Sequence, residues 1–258
     1  MKTQEVPTDL REFYKVFEML ERKYQSAQVF SDWMGMVICA FAHKTMEEEY
    51  MKLSGRYTTD EMTEFAKLTA ILIKTIDMKF CDYDEKSNPV WYDFFGDFYQ
   101  LISSRSKAQG LGQFFTPEAV VTAMVLMQNI DGENKTVLDP ACGSGRFLIA
   151  SHAHNPRNIH FGADLDFVCC QMSVLNMMMH GCRGEIVWKN ALDTESYYRG
   201  WLINNNGAPS ILDLPKEKSL MYKIDNSYSE EAKKHIVQET KPLTKKQKFK
   251  EEQFSMFQ

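Results

Sequence analysis

The stretch "VLDPACGSGRFLIA", Val137 to Ala150, decides how the rest of the chain is read. An apolar run ends in an acid and a proline, passes two glycines separated only by serine, and turns at once into a helix-like apolar segment. That order predicts a strand, a sharp side-chain-poor bend and a helix. In an open parallel sheet, ligands sit beyond the carboxyl ends of the strands. A bend of Gly143, Ser144 and Gly145 lets backbone approach such a ligand closely and would aim free amides at it. Asp139, at the strand end, faces the same crevice. A carboxylate there repels a phosphate and favours a ligand that carries a cation.

Downstream, "GADLD" ends a second strand and places Asp164 to accept hydrogen bonds from a ribose diol. A third strand leads to Asn190, an amide able to pair with an adenine edge. The combination asks for ribose, adenine and positive charge without pyrophosphate. S-adenosylmethionine meets those demands. NAD meets them poorly, because the Gly-x-Gly-x-x-Gly spacing is absent. A short glycine turn with no ligand is the bland alternative, and Asp139-Pro140, the two glycines and Asp164 in order weigh against it.

Working outward, "TVLD", a helix from Gly145, "NIHFGADLD", the helix "FVCCQMSVLNMMMHG", "GEIVWKNALD" and "GWLINNN" alternate strand and helix. This alternation predicts a parallel sheet with crossover helices. Met172, Met177, Met178 and Met179 fit core packing. Upstream, "SSRSKAQGLGQFFTP" is a loop, with Thr116 as cap and Pro117 as the first residue of a helix that stops at Asp131-Gly132. The first hundred residues are helical. Leu10, Phe13, Phe17 and Leu20 form one stripe. Thr58 and Glu61 have capping-box spacing ahead of Phe65, Leu68, Leu72 and Ile76. "NPVWYDFFGDFYQLIS" predicts a helix begun at Asn88-Pro89. Three units follow: a helical N-terminal domain over 1–108, a Rossmann-like partial sheet over 109–215, and a lysine-rich mobile tail over 216–258, in which "SLMYKID" could add a strand.

Composition is that of a globular protein, with 44% hydrophobic and 25% charged residues. No apolar stretch approaches the ~20 residues of a membrane span, and the opening residues lack a signal-peptide core. The six cysteines fit no zinc spacing and read as reduced, buried thiols of a cytoplasmic chain. No metal site is predicted. Net charge is −5, with ten Lys against seven Asp or Glu from Lys216 onward and a net of −8 before it. Charge alone does not point to nucleic acid.

"GQFFTP" (Gly112–Pro117) followed by "DPACGSG" (Asp139–Gly145) and "GADLD" resembles the adenine-N6 DNA methyltransferases, specifically the modification subunit of type I restriction systems. The resemblance covers about Gly110 to Leu212. It implies an α/β fold, a helical N-terminal domain followed by a Rossmann-like methyltransferase domain, here C-terminally truncated. It further implies S-adenosylmethionine held by Phe115, Thr116 and Pro117 on one side and by Asp139, Pro140, Ala141, Gly143, Ser144 and Gly145 on the other. Asp164 and the run Asn190, Ala191 and Leu192 complete the cofactor residues. DNA is the implied substrate, methylated at a flipped adenine, with a specificity or partner subunit.

The family's fourth strand ends in Asn-Pro-Pro and an aromatic, which bind and stack the flipped base. This chain has "GWLINNNGAPS", with no proline pair and no aromatic there. Asn204 and Asn205 are the candidate catalytic amides of a degenerate motif. A cofactor-binding regulatory derivative is the rival reading. In the tail, "QFSMF" (Gln253–Phe257) resembles the bacterial sliding-clamp-binding peptide, the alternative being a tail end that folds back on the body.

Overall fold

The computed structural model describes residues 6–42, 44–81, 90–103, 114–128, 130–132 and 134–223. Among the described residues, a 3-10 turn (Thr8–Leu10) leads into five α-helices: α1 (Arg11–Glu21), α2 (Ser26–Ala40), α3 (Glu47–Ser54), α4 (Thr59–Cys81) and α5 (Phe94–Ser103). The predicted α1 stripe is buried in full, as are Phe65, Leu68, Leu72 and Ile76 of α4. The capping box forms as spaced. The Thr58 amide donates to Glu61 Oε2 at 2.9 Å, and the Glu61 amide donates to Thr58 Oγ1 at 3.3 Å.

Two helix starts differ from expectation. α5 begins at Phe94, with Asp93 as its cap, because the Asp93 carboxylate accepts the Gly96 amide at 2.8 Å. Residues 88–89 lie outside the described residues. α6 (Glu118–Met127) begins one residue late, with Pro117 in the cap position and no side-chain cap from Thr116, and it ends at Met127, before Asp131-Gly132.

The remaining elements are β1 (Thr136–Asp139), α7 (Arg146–His154), β2 (Ile159–Asp164), α8 (Phe167–Met179), β3 (Gly184–Trp188), β4 (Arg199–Ile203) and β5 (Ile211–Asp213). They form one sheet in the order β1-β2-β3-β4-β5. The expectation of a parallel sheet holds for β1, β2 and β3 and fails beyond them. β4 runs antiparallel to β3, with Gly184 opposite Ile203, and β5 runs antiparallel to β4. The ten residues between β3 and β4 contain no helix, and a parallel return needs a crossover of a dozen or more.

The tail boundary also shifts. Residues 216–218 form a 3-10 turn and residues 220–223 are helical, so "SLMYKID" supplies no strand within 219–223. The buried Glu185 of β3 fixes this return by accepting from Ser219 Oγ at 2.8 Å and the Leu220 amide at 3.0 Å. Residues 224–258, including Gln253–Phe257, lie outside the described residues.

Helices and sheet share a large apolar cluster that runs from Val6 to Ile211, and Phe161, Ala163, Val187 and Met221 form a second, smaller one. α8 is the hinge of this packing, buried along nearly its whole length, including Met172, Met177 and Met178. On the α2 side, Ser31 Oγ donates to Gln171 Oε1 at 2.7 Å, and Gln171 Nε2 donates back to the Ser31 carbonyl at 3.1 Å. Arg199 ties β4 to α3 through a two-pronged pair with Glu49 at 2.8 and 2.7 Å. Cys39, Cys142, Cys169, Cys170 and Cys182 are free and buried, and burial pushes the Cys39 thiol up to about 11. Among the described residues no helix is long and apolar enough to cross a membrane, and no group of three His, Cys, Asp or Glu could hold a metal.

Candidate functional site

β1 delivers Asp139 to the carboxyl edge of the sheet, and the chain then bends into α7. The bend needs glycine twice, since Gly143 (φ 55°) and Gly145 (φ 81°) are both left-handed. A side chain there costs about 1–2 kcal/mol in backbone strain alone. Space adds a second reason. A β-carbon on Gly145 would sit 3.0 Å from Ser173 of α8, and one on Gly143 would sit 3.1 Å from the Phe115 ring. Ser173 Oγ closes the bend from behind by donating to the Gly143 carbonyl at 2.8 Å.

The amides of these glycines are not free, contrary to the sequence expectation. Gly143 N–H donates to Asp164 Oδ2 at 2.8 Å, and Gly145 N–H donates to the Cys142 carbonyl at 2.8 Å. The glycines therefore thin the wall of the cleft. Asp164 also accepts the Asp166 amide on Oδ1 at 2.9 Å. Each of its oxygens retains acceptor capacity, because a carboxylate offers about four lone-pair directions. Asp139 accepts the Ala141 amide at 3.1 Å. Burial and the nearby Asp164 raise its pKa above the ordinary carboxylate value, with the Ala141 amide opposing them. A neighbouring cation would relieve that penalty.

Between this bend and the segment 114–116 lies a cleft of about 300 Å³. Phe115, Thr116, Asp139, Ala141, Gly143, Ser144 and Asp164 line it, together with Phe114, Val121, Met124, Cys142, Arg146, Phe147 and Cys169. Pro117, Pro140 and Gly145 belong to the same two segments but do not line it. Asn190, Ala191 and Leu192 follow β3 at the same edge, outside the lining. Asn190 Oδ1 accepts the Leu192 amide at 3.0 Å, and Leu192 is 96% exposed. The residues present fit S-adenosylmethionine: an aromatic wall, a glycine-thinned wall and two carboxylates at adjacent strand ends.

Asn204 and Asn205 do not reach the cleft, and this corrects their candidate role. Because β4 is antiparallel, its end lies beside the start of β3, at the opposite edge of the sheet. Asn204 is buried and fully engaged. Its Nδ2 donates to the carbonyls of Met177, Met178 and Cys182 at 3.3, 3.2 and 2.9 Å, and its Oδ1 accepts the Ser210 amide at 3.2 Å. It closes the carboxyl end of α8. Asn205 is exposed in the turn that follows.

Sequence reading missed the cluster behind the bend. Asp93, capping α5, accepts from Ser144 Oγ and from Arg146 Nε at 2.8 Å on Oδ2, and from Asn176 Nδ2 at 2.6 Å on Oδ1. Arg146 further donates to the Thr116 carbonyl at 2.9 Å and to Asp97 Oδ1 at 2.7 Å. Burial and the neighbouring Asp93 push Asp97 up to about 6, against the pull of Arg146. The one available signal was an aspartate three residues before Gly96 at a helix start.

The match to a family model falls on this same region. Residues 90–199 match the family model N-6 DNA Methylase. The chain is 31% identical over 144 residues to the methylase subunit of the type I restriction enzyme MjaVII of Methanocaldococcus jannaschii, covering 53% of this chain and 23% of the relative. It is 28% identical to the HindI methylase subunit of Haemophilus influenzae, covering 54% of this chain and 34% of that protein. The chain thus spans about a quarter to a third of the length of these relatives. A solved modification subunit of a putative type I restriction enzyme from Vibrio vulnificus YJ016 is 25% identical over 41% of this chain and 26% of its own, at a TM-score of 0.30. In residues 90–199, which hold the cleft and the cluster behind it, the chain carries the pattern of the N-6 DNA methylase family, and what it resembles is the methylase subunit of a type I restriction system.

Proposed function

We propose that the cleft binds S-adenosylmethionine and that the chain supplies the cofactor-holding part of an adenine-N6 DNA modification activity. The carrying observation is the convergence of Phe115–Thr116, the Asp139–Gly145 bend and Asp164 on one open cleft. Asp164 would accept from the ribose hydroxyls with the lone pairs that Gly143 and Asp166 leave. Asp139 would sit near the ligand's positive end, and Phe115 would cover one face. When bound, the cofactor supplies an activated methyl group. This chain's residues bind and orient it and exclude water from its aromatic side. DNA is the proposed substrate, and a specificity or partner subunit the proposed source of target recognition.

Calorimetry with S-adenosylmethionine tests the reading. Micromolar-range binding that Asp164→Ala weakens at least tenfold is expected. An intact folded chain that takes up no heat with the cofactor would overturn it. A second reading is favoured by the engagement of Asn204 in closing α8: this chain alone binds cofactor without transferring methyl groups. Tritiated-methyl transfer to DNA, with a type I specificity subunit present or absent, separates the two. The clamp-like peptide Gln253–Phe257 belongs to the same proposal as a tether, and its deletion should abolish capture by a sliding clamp.

A further inference from the structure

The two walls of the cleft come from separate segments, 114–116 and 139–145. Arg146 joins them, donating from Nη1 to the Thr116 carbonyl at 2.9 Å while standing at the end of the glycine bend, with its guanidinium 5.8 Å from the Phe115 ring centre. What aims Arg146 is Asp93. That carboxylate is 2% exposed and fully subscribed: Gly96 N–H and Asn176 Nδ2 donate to Oδ1, and Ser144 Oγ and Arg146 Nε donate to Oδ2. Four donors match the four acceptor directions of an ionised carboxylate. Asp93 thus grips the middle residue of the bend and, through Arg146, the opposite wall. It can do so only because residue 96 is glycine, since a β-carbon there would land on the Asp93 carboxylate.

We propose that Asp93 is the positioning residue of the cleft, setting the spacing of its two walls through Ser144 and Arg146 from a helix that lines neither. This rests on reading the cleft as the S-adenosylmethionine site. The test uses the full chain as Asp93→Asn, Arg146→Lys and the double variant. Asp32→Asn serves as control, because Asp32 is a comparably buried carboxylate held by Arg56 and Tyr57 within the helical layer. Calorimetry should show S-adenosylmethionine binding weakened at least tenfold in Asp93→Asn and in Arg146→Lys. The double variant should be no weaker than the worse single, since both break one chain of contacts. Asp32→Asn should bind within twofold of wild type even if its thermal midpoint falls as far.

Hydrogen exchange on the ligand-free protein gives an independent readout. The amides of Gly143 and Gly145 on one wall, and of Val120 and Val121 behind the other, should speed up together in Asp93→Asn and stay unchanged in Asp32→Asn. If Asp93→Asn does not fold, Arg146→Lys carries both measurements. Binding within twofold in the cleft variants, equal weakening in Asp32→Asn, or loosening of one wall alone would overturn the proposal. If the wild type binds no S-adenosylmethionine, the cofactor reading falls, while the exchange pattern still decides whether Asp93 sets the walls.

Discussion

Two turns in this molecule look alike in sequence and do opposite things. The bend after β1 and the turn after β4 both follow an apolar strand, and both place residues in left-handed conformations, Gly143 and Gly145 in one and Asn204 (φ 52°) in the other. The first leaves its strand-end carboxylate facing a cleft of about 300 Å³. The second folds its amide inward and spends it on three carbonyls at the end of α8. Strand direction makes the difference. β1 and β2 are parallel and present their carboxyl ends on the edge where ligands collect, whereas β4 is reversed and presents its end at the opposite edge. A left-handed residue marks a place where the chain must turn sharply; what the turn is for depends on which edge of the sheet it occupies.

The largest effect should come from Gly145→Val. It combines left-handed strain, worth about 1–2 kcal/mol, with a side chain driven into Ser173. Cofactor binding should become undetectable by calorimetry, and a retained affinity would mean that the bend does not shape the cleft. Asn204→Ala comes next. It removes the side-chain partner of the buried Cys182 carbonyl and Ser210 amide, while the Met177 and Met178 carbonyls keep the Cys182 and Gly181 amides, and should cost roughly 2–4 kcal/mol of stability, read from denaturant midpoints. Its effect on cofactor affinity should stay within twofold, and a large loss would put Asn204 back at the site.

A smaller effect is expected from pH. Asp97, with its pKa raised to about 6, holds its proton more tightly when folded than unfolded. Its contribution is therefore present at pH below the ordinary carboxylate value and lost as pH rises through about 6. Asp97→Asn should flatten the change in thermal midpoint across that window, whereas Asn204→Ala should leave its shape unaltered. Asn205→Ala is expected to do nearly nothing, within about 0.5 kcal/mol, because the residue is exposed in the turn.

The legible part of the site is the part that needs special residues at short spacing. Gly143 and Gly145 announce a left-handed bend, Asp139-Pro140 marks the strand end before it, and Asp164 closes the second strand. The capping box of Thr58 and Glu61 was legible for the same reason, since both partners lie within one turn. The Asp93 cluster was not. Asp93, Ser144, Arg146 and Asn176 are far apart in the chain, and only the packing of α5 and α8 against the bend unites them. Asn204 was misread because periodicity shows that "GWLI" is a strand and says nothing of which way it runs. The free glycine amides failed for a related reason, in that Asp164 takes the Gly143 amide from a neighbouring strand.

The shared core has a practical consequence. The change of composition near residue 108 invites a cut between a helical half and a sheet half. The large apolar cluster draws residues from both sides of that point, and Gln171 of α8 is bonded to Ser31 of α2 in both directions. A fragment starting there would present the flank of α8 to water and surrender the carboxylate that seats Arg146. Melting of the intact chain should proceed as one cooperative event, so truncation from the front sacrifices the fold of the back.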